Sequence, residues 1–188
     1  NFESLKGKPI YLSDINDELI NCYRIVRDNV EELIPLLEKH QKMHNEDYYN
    51  KIRNIYPPGN GFSNIEKAAM FIYLNKTCYG GVWRVNSGGK FNMPIGNKEK
   101  VDIFDNKELI ECSSILKNAR LATISFEKIL RIKNINNYFV YMDPPYYSIS
   151  RGQKEDFTRY TKDRFTITKK TLIPKVFKEL DKLDCKVM

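Results

Sequence analysis

Histidine is scarce in this sequence and cysteine is scattered. The only histidines, His40 and His44, stand four residues apart on an expected helix. That spacing can hold a metal, but no third His or Cys lies nearby, so the reading favoured is a pair of exposed polar residues at a helix end, with no metal site. A hydrolytic triad built on histidine is disfavoured for the same reason. Cys22, Cys78, Cys112 and Cys185 lie far apart and form no CxxC pair. This excludes a zinc site of the usual spacing and argues against a disulfide scaffold, so reduced thiols in a cytoplasmic protein are expected. No apolar run approaches the roughly 20 residues needed to span a bilayer, and the opening Asn1-Phe2-Glu3-Ser4 lacks a basic-then-apolar signal pattern. Neither membrane insertion nor classical secretion is expected. Internal repeats and low-complexity tracts are also missing.

What remains is one domain's worth of chain, 188 residues that are 41% apolar and 29% charged, enough to build a core with an elaborated loop region. Lys and Arg number 31 against 24 Asp and Glu, a formal charge of +7. The excess suits a polyanionic partner, yet an AT-rich genome also inflates lysine, so charge alone leaves the partner open.

Pro9 to Asp14 reads as a buried strand ending in an acid. Asn16 or Asp17 then caps a helix expected to run to about Lys39, with Leu19, Ile20, Tyr23, Val26, Val30, Leu33 and Leu37 on its inner face. Pro57-Pro58-Gly59-Asn60-Gly61 is a loop signal. Ser63-Asn64-Ile65-Glu66 is a capping box for a helix with Ile65, Ala68, Ala69 and Ile72 at helical spacing. Glycines, aromatics and the Ser87-Gly88-Gly89 turn predict a hairpin over about 80–96. Asp105 to Glu108 opens another helix, through about Leu116. Leu121 to Ser125 and Tyr138 to Met142 read as strands. A helix follows from about Thr168 to Leu183, its start blurred by Pro174, and Cys185 to Met188 opens a further strand. This alternation predicts an α/β fold with a mainly parallel sheet.

The chemistry-bearing feature is Asp143-Pro144-Pro145-Tyr146, immediately after the Tyr138–Met142 strand. Ligands of open α/β sheets bind beyond the carboxyl ends of strands. Two prolines remove two backbone donors and fix the chain, which aims carbonyl oxygens as acceptors. The Asp143 carboxylate adds an acceptor and Tyr146 a stacking face, a combination suited to the exocyclic amine of a planar base. The competing reading is a proline turn that closes a strand, with Tyr146 in the core. Asp14 stands where an acid meets the ribose hydroxyls of a nucleoside cofactor, unless it serves to cap the following helix. On the hairpin, Arg84 is shaped to read guanine from the major groove, or is a surface charge. From Arg151 to Met188 there are eleven Lys or Arg and six Asp or Glu, which could track a phosphate backbone or form a solvated face.

Three blocks in order make the sequence resemble the Dam-type DNA adenine-N6 methyltransferases over nearly its whole length. They are Tyr73-Leu74-Asn75-Lys76-Thr77-Cys78-Tyr79-Gly80-Gly81-Val82-Trp83-Arg84-Val85-Asn86, continuing to Gly89-Lys90-Phe91-Asn92-Met93-Pro94-Ile95-Gly96; Val140-Tyr141-Met142-Asp143-Pro144-Pro145-Tyr146; and Phe157-Thr158-Arg159-Tyr160 with Phe165-Thr166. The resemblance implies a Rossmann-like methyltransferase sheet with a helical and β-hairpin DNA-recognition insertion. Residues 1–40 and 120–188 would belong to the catalytic domain and 41–119 to the insertion. It implies S-adenosylmethionine as cofactor, bound by Asp14 in the Leu12-Ser13-Asp14-Ile15-Asn16 setting and by Asp143. Ser125 and Phe126 would border its adenine, where the family often has an acid; Phe126 can equally be core. Asp143, Pro144, Pro145 and Tyr146 would hold the target adenine. Asp143 and the Pro144 carbonyl would accept both N6 hydrogens, and Tyr146 would stack on the flipped base. Tyr79, Arg84, Asn86 and Pro94 would contact double-stranded DNA, with Tyr79 inserting into the stack and Arg84 reading a guanine. Gly80 departs from the family, which often has an Asn-type residue there.

The expected function is therefore site-specific adenine-N6 methylation of duplex DNA, with a GATC-like site favoured and a cognate restriction endonuclease as a possible companion. An RNA base methyltransferase, or an inactive DNA-binding remnant, are the rivals. A nucleoside-binding unit places a glycine-rich turn about 20 residues before its ribose acid, and Asp14 leaves no room for one. The family's Phe-x-Gly-x-Gly block and its later Ser-Asn-type strand end are not in these residues. The expectation is a central, incomplete part of the sheet, inactive alone.

Overall fold

Asn16 ends the first strand's exit and starts the first helix. Its side-chain oxygen accepts from the backbone N–H groups of Glu18 and Leu19, at 3.1 and 3.2 Å, which satisfies donors that a helix start leaves open. The computed structural model describes residues 8–96, 101–144 and 167–188. The elements are β1 (Ile10–Asp14), α1 (Asp17–Asp28), α2 (Val30–Lys42), α3 (Glu46–Ile55), α4 (Asn64–Thr77), α5 (Asn106–Leu116), β2 (Ala119–Thr123), β3 (Phe139–Val140), α6 (Ile167–Asp181) and β4 (Lys186–Val187). Among the described residues, no helix is long and apolar enough to cross a membrane.

Among the described residues the fold is mixed α/β with two small parallel sheets. β1 pairs with β2, Ile10 opposite Ala119 through Asp14 opposite Thr123. β3 pairs with β4, Phe139 opposite Lys186 and Val140 opposite Val187, and Met142 extends that ladder by donating its N–H to the Met188 carbonyl at 2.8 Å. Strand period decides the faces. Ile10 and Leu12 of β1 and Leu121 of β2 pack on the main core. Tyr11 points to the other face, where its hydroxyl accepts from Arg120 at 2.7 Å and its ring meets that of Tyr138 edge-on at 6.4 Å. Tyr138, just before β3, is thus a neighbour of the second residue of β1.

The main core runs from α1 and α2 through α3 and α4 to Trp83, Phe91 and α5. α4 is its axis. The Ser63–Glu66 capping box forms in both directions, with Glu66 N–H to Ser63 Oγ and Ser63 N–H to Glu66 Oε2. Ala68, Ala69, Met70, Phe71, Tyr73 and Leu74 are all buried, so α4 is apolar on more than one face and its neighbours surround it. A second core gathers Ile135, Val140, Val176, Leu180 and Cys185 between β3 and α6.

Three expectations need correction. The helix expected to continue to about Lys39 breaks at Asn29, which closes α1 by donating its N–H to Ile25 O and begins α2. Asparagine suits both helix ends, while the apolar period runs straight across it. The segment 46–55, left without an element, is α3, capped by Asn45 Oδ1 accepting from Tyr48 N–H at 2.8 Å. His40 is not an exposed helix-end residue. It is 7% exposed, stacked on Tyr73 at 4.9 Å and bonded through Nδ1 to the Tyr48 hydroxyl at 2.8 Å. All four cysteines are free thiols, with only Cys112 exposed.

Candidate functional site

Two groups of expected site residues lie at the carboxyl ends of the parallel strands. Asp14 is the last residue of β1 and half-buried. Its Oδ1 accepts from Asn16 N–H at 2.7 Å, and it is Asn16, not Asp14, that caps α1. Oδ2 of Asp14 meets no donor among the described residues. A carboxylate oriented by one oxygen and open at the other, past the end of a parallel strand, fits a ribose hydroxyl. Ser125 follows β2, and its hydroxyl donates to the Glu127 carboxylate, a bond that holds that acid below its ordinary range. Glu127, an acid two residues beyond Ser125, was not singled out from the sequence, although the resembled family often has an acid near this point. Phe126 packs on the second core, so its core reading is the one its contacts support.

Asp143 and Pro144 come directly after the β3 ladder, Asp143 exposed and Pro144 half-buried. Val140 points inward to Val176 and Leu180, while Phe139 and Tyr141 alternate outward, 64% and 63% exposed. The ladder holds the chain as far as Met142, one residue before Asp143. Pro145 and Tyr146 lie outside the described residues, as do Phe157 to Tyr160 and Phe165-Thr166.

The third group is the ribbon. The hairpin expected over 80–96 is present, with cross-strand bridges at Cys78–Ile95 and Val85–Phe91. Its outer end is a tight turn: Asn86 N–H donates to Lys90 O at 2.8 Å and Gly89 N–H to Asn86 O at 3.0 Å, with Gly89 at φ +81. Period-2 alternation sorts the side chains. Trp83, Val85, Phe91 and Met93 are buried, and Trp83 lies between Phe71 of α4 and Phe91, at 4.0 and 4.6 Å. Such ring stacking ties the ribbon to the helical core. Arg84, Asn86, Asn92 and Pro94 are the intervening residues.

Arg84, Asn86 and Pro94 lie on the ribbon, and Tyr79 opens the 3-10 turn Tyr79–Gly81 that leads into it. Tyr79 is 59% exposed, and its N–H donates to Pro94 O at 2.9 Å. Arg84 Nε–H donates to Asn92 Oδ1 across the ribbon at 3.0 Å. Asn86 turns its amide oxygen inward, accepting from Gly88 and Lys90 N–H at 2.9 and 3.0 Å. Gly80 explains its own departure from the family pattern. It has φ +65, a left-handed conformation that glycine takes freely and asparagine tolerates better than most residues.

An exposed aromatic, an oriented arginine and an exposed proline on a two-stranded ribbon form a shape that fits a major groove. Asp143 and Pro144 beyond one parallel strand, and the Asp14 carboxylate at the end of another, place acceptors at two strand ends. Among the described residues, no cluster of three or more His, Cys, Asp or Glu could hold a metal ion.

Comparison with known proteins gives these shapes a context. The description of the D12 class N6 adenine-specific DNA methyltransferases matches residues 1–188. The Type II methyltransferase M.MjaIII of Methanocaldococcus jannaschii is 35% identical over 189 residues, which cover 96% of this chain and 64% of that protein. M1.LlaDCHI of Lactococcus lactis subsp. cremoris, also a Type II methyltransferase, is 37% identical over 185 residues, again 96% and 64% of the two chains. A DNA adenine methylase of Haemophilus influenzae is 29% identical over 175 residues, 91% of this chain and 59% of its own. The chain spans a little under two thirds of the length of these relatives.

Proposed function

The chain belongs to the D12 class of N6 adenine-specific DNA methyltransferases, and on that premise we propose that the whole protein methylates N6 of an adenine at a specific site in double-stranded DNA. S-adenosylmethionine would supply the electrophilic methyl group. The observation that supports this most directly is the position of Asp143 and Pro144, directly beyond a parallel strand.

The chemistry these residues can perform follows from the base. The N6 lone pair of adenine is delocalised into the ring, so the amine is a weak nucleophile. The Asp143 carboxylate and the Pro144 carbonyl accept its two hydrogens and draw N6 toward a tetrahedral geometry, which localises the pair. Asp143 acts as an oriented acceptor; proton loss follows methyl transfer. Pro145 keeps the carbonyls rigid and Tyr146 stacks on the extruded base, whose removal from the duplex costs a few kcal/mol. Asp14 binds the cofactor ribose, and Ser125, with Glu127 beside it, borders the cofactor's adenine.

On the DNA side, Tyr79 enters the stack, Arg84 reads a guanine, and Pro94 and Asn86 contact the duplex. A GATC-like site is the favoured target, and a cognate endonuclease is a natural companion, given that two similar proteins carry the Type II methyltransferase name. Residues 41–119 act as the recognition insertion and the remainder as the catalytic unit, in a Rossmann-like sheet in the cytoplasm. Among the described residues the strands form two separate two-stranded sheets, in keeping with the further reading that these 188 residues do not carry the activity by themselves.

The test is methyl transfer from tritiated S-adenosylmethionine by the whole protein, offered duplex DNA and structured RNA in parallel. Label in duplex DNA is the expected result. Preference for RNA refutes the substrate assignment, and site-selective DNA binding without label in either points to a binding remnant. Robust transfer by the isolated 188 residues refutes the dependence on flanking sequence.

A further inference from the structure

The reading face of the ribbon is held from beneath by a tyrosine on a different element. Tyr49 of α3 is fully buried, and its hydroxyl reaches two successive carbonyls of the ribbon's return strand, Met93 O at 3.0 Å and Pro94 O at 3.2 Å. A phenol has one proton to donate and here shares it between two acceptors. Burial raises the Tyr49 pKa, so that proton is present throughout the physiological range. Four residues on, one helical turn along α3, Arg53 donates from Nη1 to Met93 O at 3.4 Å.

The Pro94 carbonyl is a junction. It accepts from Tyr49 beneath and from the Tyr79 backbone N–H beside it, at 2.9 Å. The Gly96 N–H then closes the strand onto Thr77 O at 2.8 Å. Proline has no N–H, so residue 94 is fixed on the ladder only through its oxygen. The two residues flanking this oxygen contact are the exposed Pro94 ring and the exposed Tyr79 ring. A shift of the return strand therefore moves both at once, and through Asn92 it moves the partner of Arg84.

We propose that Tyr49 is a positioning residue for sequence readout, setting the height and register at which Pro94 and Tyr79 are presented to the duplex. This rests on the reading of the ribbon as the DNA-contacting element. The neighbouring Tyr48 provides an internal contrast, because its hydroxyl bonds His40 Nδ1 at 2.8 Å and touches no ribbon carbonyl among the described residues.

The experiment compares the whole protein with Tyr49→Phe, Arg53→Met and Tyr48→Phe. It measures kcat and KM on duplexes carrying the preferred site or single-base substitutions of it, with thermal midpoints alongside. Tyr49→Phe keeps the ring and loses only the hydroxyl. It is expected to raise KM for the preferred duplex, and to reduce the preference in kcat/KM over substituted sites, each by about five- to tenfold, with kcat at saturating DNA within about twofold. Arg53→Met should move the same quantities in the same direction by less, and it carries the test if Tyr49→Phe does not fold. Tyr48→Phe should leave the preference unchanged even where it lowers the midpoint. A fall in midpoint for Tyr49→Phe with unchanged site preference overturns the proposal, as does an equal loss of preference in Tyr48→Phe. If the unaltered protein shows no preference for duplex DNA, the ribbon reading itself falls and takes this proposal with it.

Discussion

Arg84 and Asn92 face each other across the ribbon, Nε–H to Oδ1 at 3.0 Å, while the backbone joins the same pair, Asn92 N–H to Arg84 O at 3.2 Å. One residue thus carries the guanidinium and the other sets its plane. A planar fork discriminates a base only when its orientation is fixed, and lysine cannot reproduce the bidentate geometry. Arg84→Lys should cost about 1–3 kcal/mol of discrimination at one base pair, read as a loss of preference among duplexes substituted at that position. Asn92→Ala should relax the same position by less, with no new preference elsewhere.

Asp143 is exposed at the strand end, so its replacement removes an acceptor without opening a core cavity. Asp143→Ala should lower the single-turnover rate by about two to three orders of magnitude. Affinity for duplex DNA, measured by fluorescence anisotropy, should change little.

Asp14 predicts the opposite partition. With Oδ1 held by Asn16 N–H, Asp14→Ala should weaken cofactor binding by about 1.5–3 kcal/mol, the range for hydrogen bonds to a charged group. Calorimetric titration with S-adenosylmethionine tests this, and duplex affinity serves as the control.

His40 gives a pH dependence whose sign follows from burial. Burial first, and Lys39 nearby second, lower its pKa to about 4, so the native protein keeps it neutral. The unfolded imidazole titrates near 6.5 and binds more protons than the native one between these values. Stability from this group is therefore fully present above about pH 6.5 and is lost as the pH falls toward 4, by up to about 3 kcal/mol. Urea midpoints at pH 7 and pH 5 should separate for the unaltered protein and converge for His40→Gln.

The legible parts of the fold were those whose local chemistry and period agree. Ser63 and Glu66 announce α4, Asp105 announces α5, whose Lys107 and Glu108 N–H groups it accepts, and Val140 marks a strand buried on one side. The break at Asn29 was not legible, because Leu19 to Leu37 keep one apolar stripe while the cap is decided by backbone geometry at a single residue. α3 was passed over for its polarity, although Tyr49, Ile52 and Tyr56 recur at helical spacing and all three are buried. His40 was misread because a helix-end histidine looks solvated until an aromatic neighbour from another helix, here Tyr73, covers it. The hairpin was legible from its glycines, aromatics and Ser87-Gly88-Gly89 turn, while the DNA role of its residues came from the family resemblance. What joins Tyr49 to Pro94 was not legible, since that bond spans 45 positions and depends on tertiary packing alone.

On the proposed reading, Asp143 and Pro144 activate the exocyclic amine of an adenine in duplex DNA. Its most direct test is nucleoside mass spectrometry of duplex DNA after incubation with the whole protein and methyl-labelled S-adenosylmethionine, beside the same reaction with Asp143→Ala. Labelled N6-methyl-2′-deoxyadenosine is predicted from duplexes that carry one sequence context and not from duplexes that lack it, and it should be nearly abolished in the variant. Label on a cytosine, or N6-methyl-2′-deoxyadenosine formed equally well without the Asp143 carboxylate, would contradict that reading.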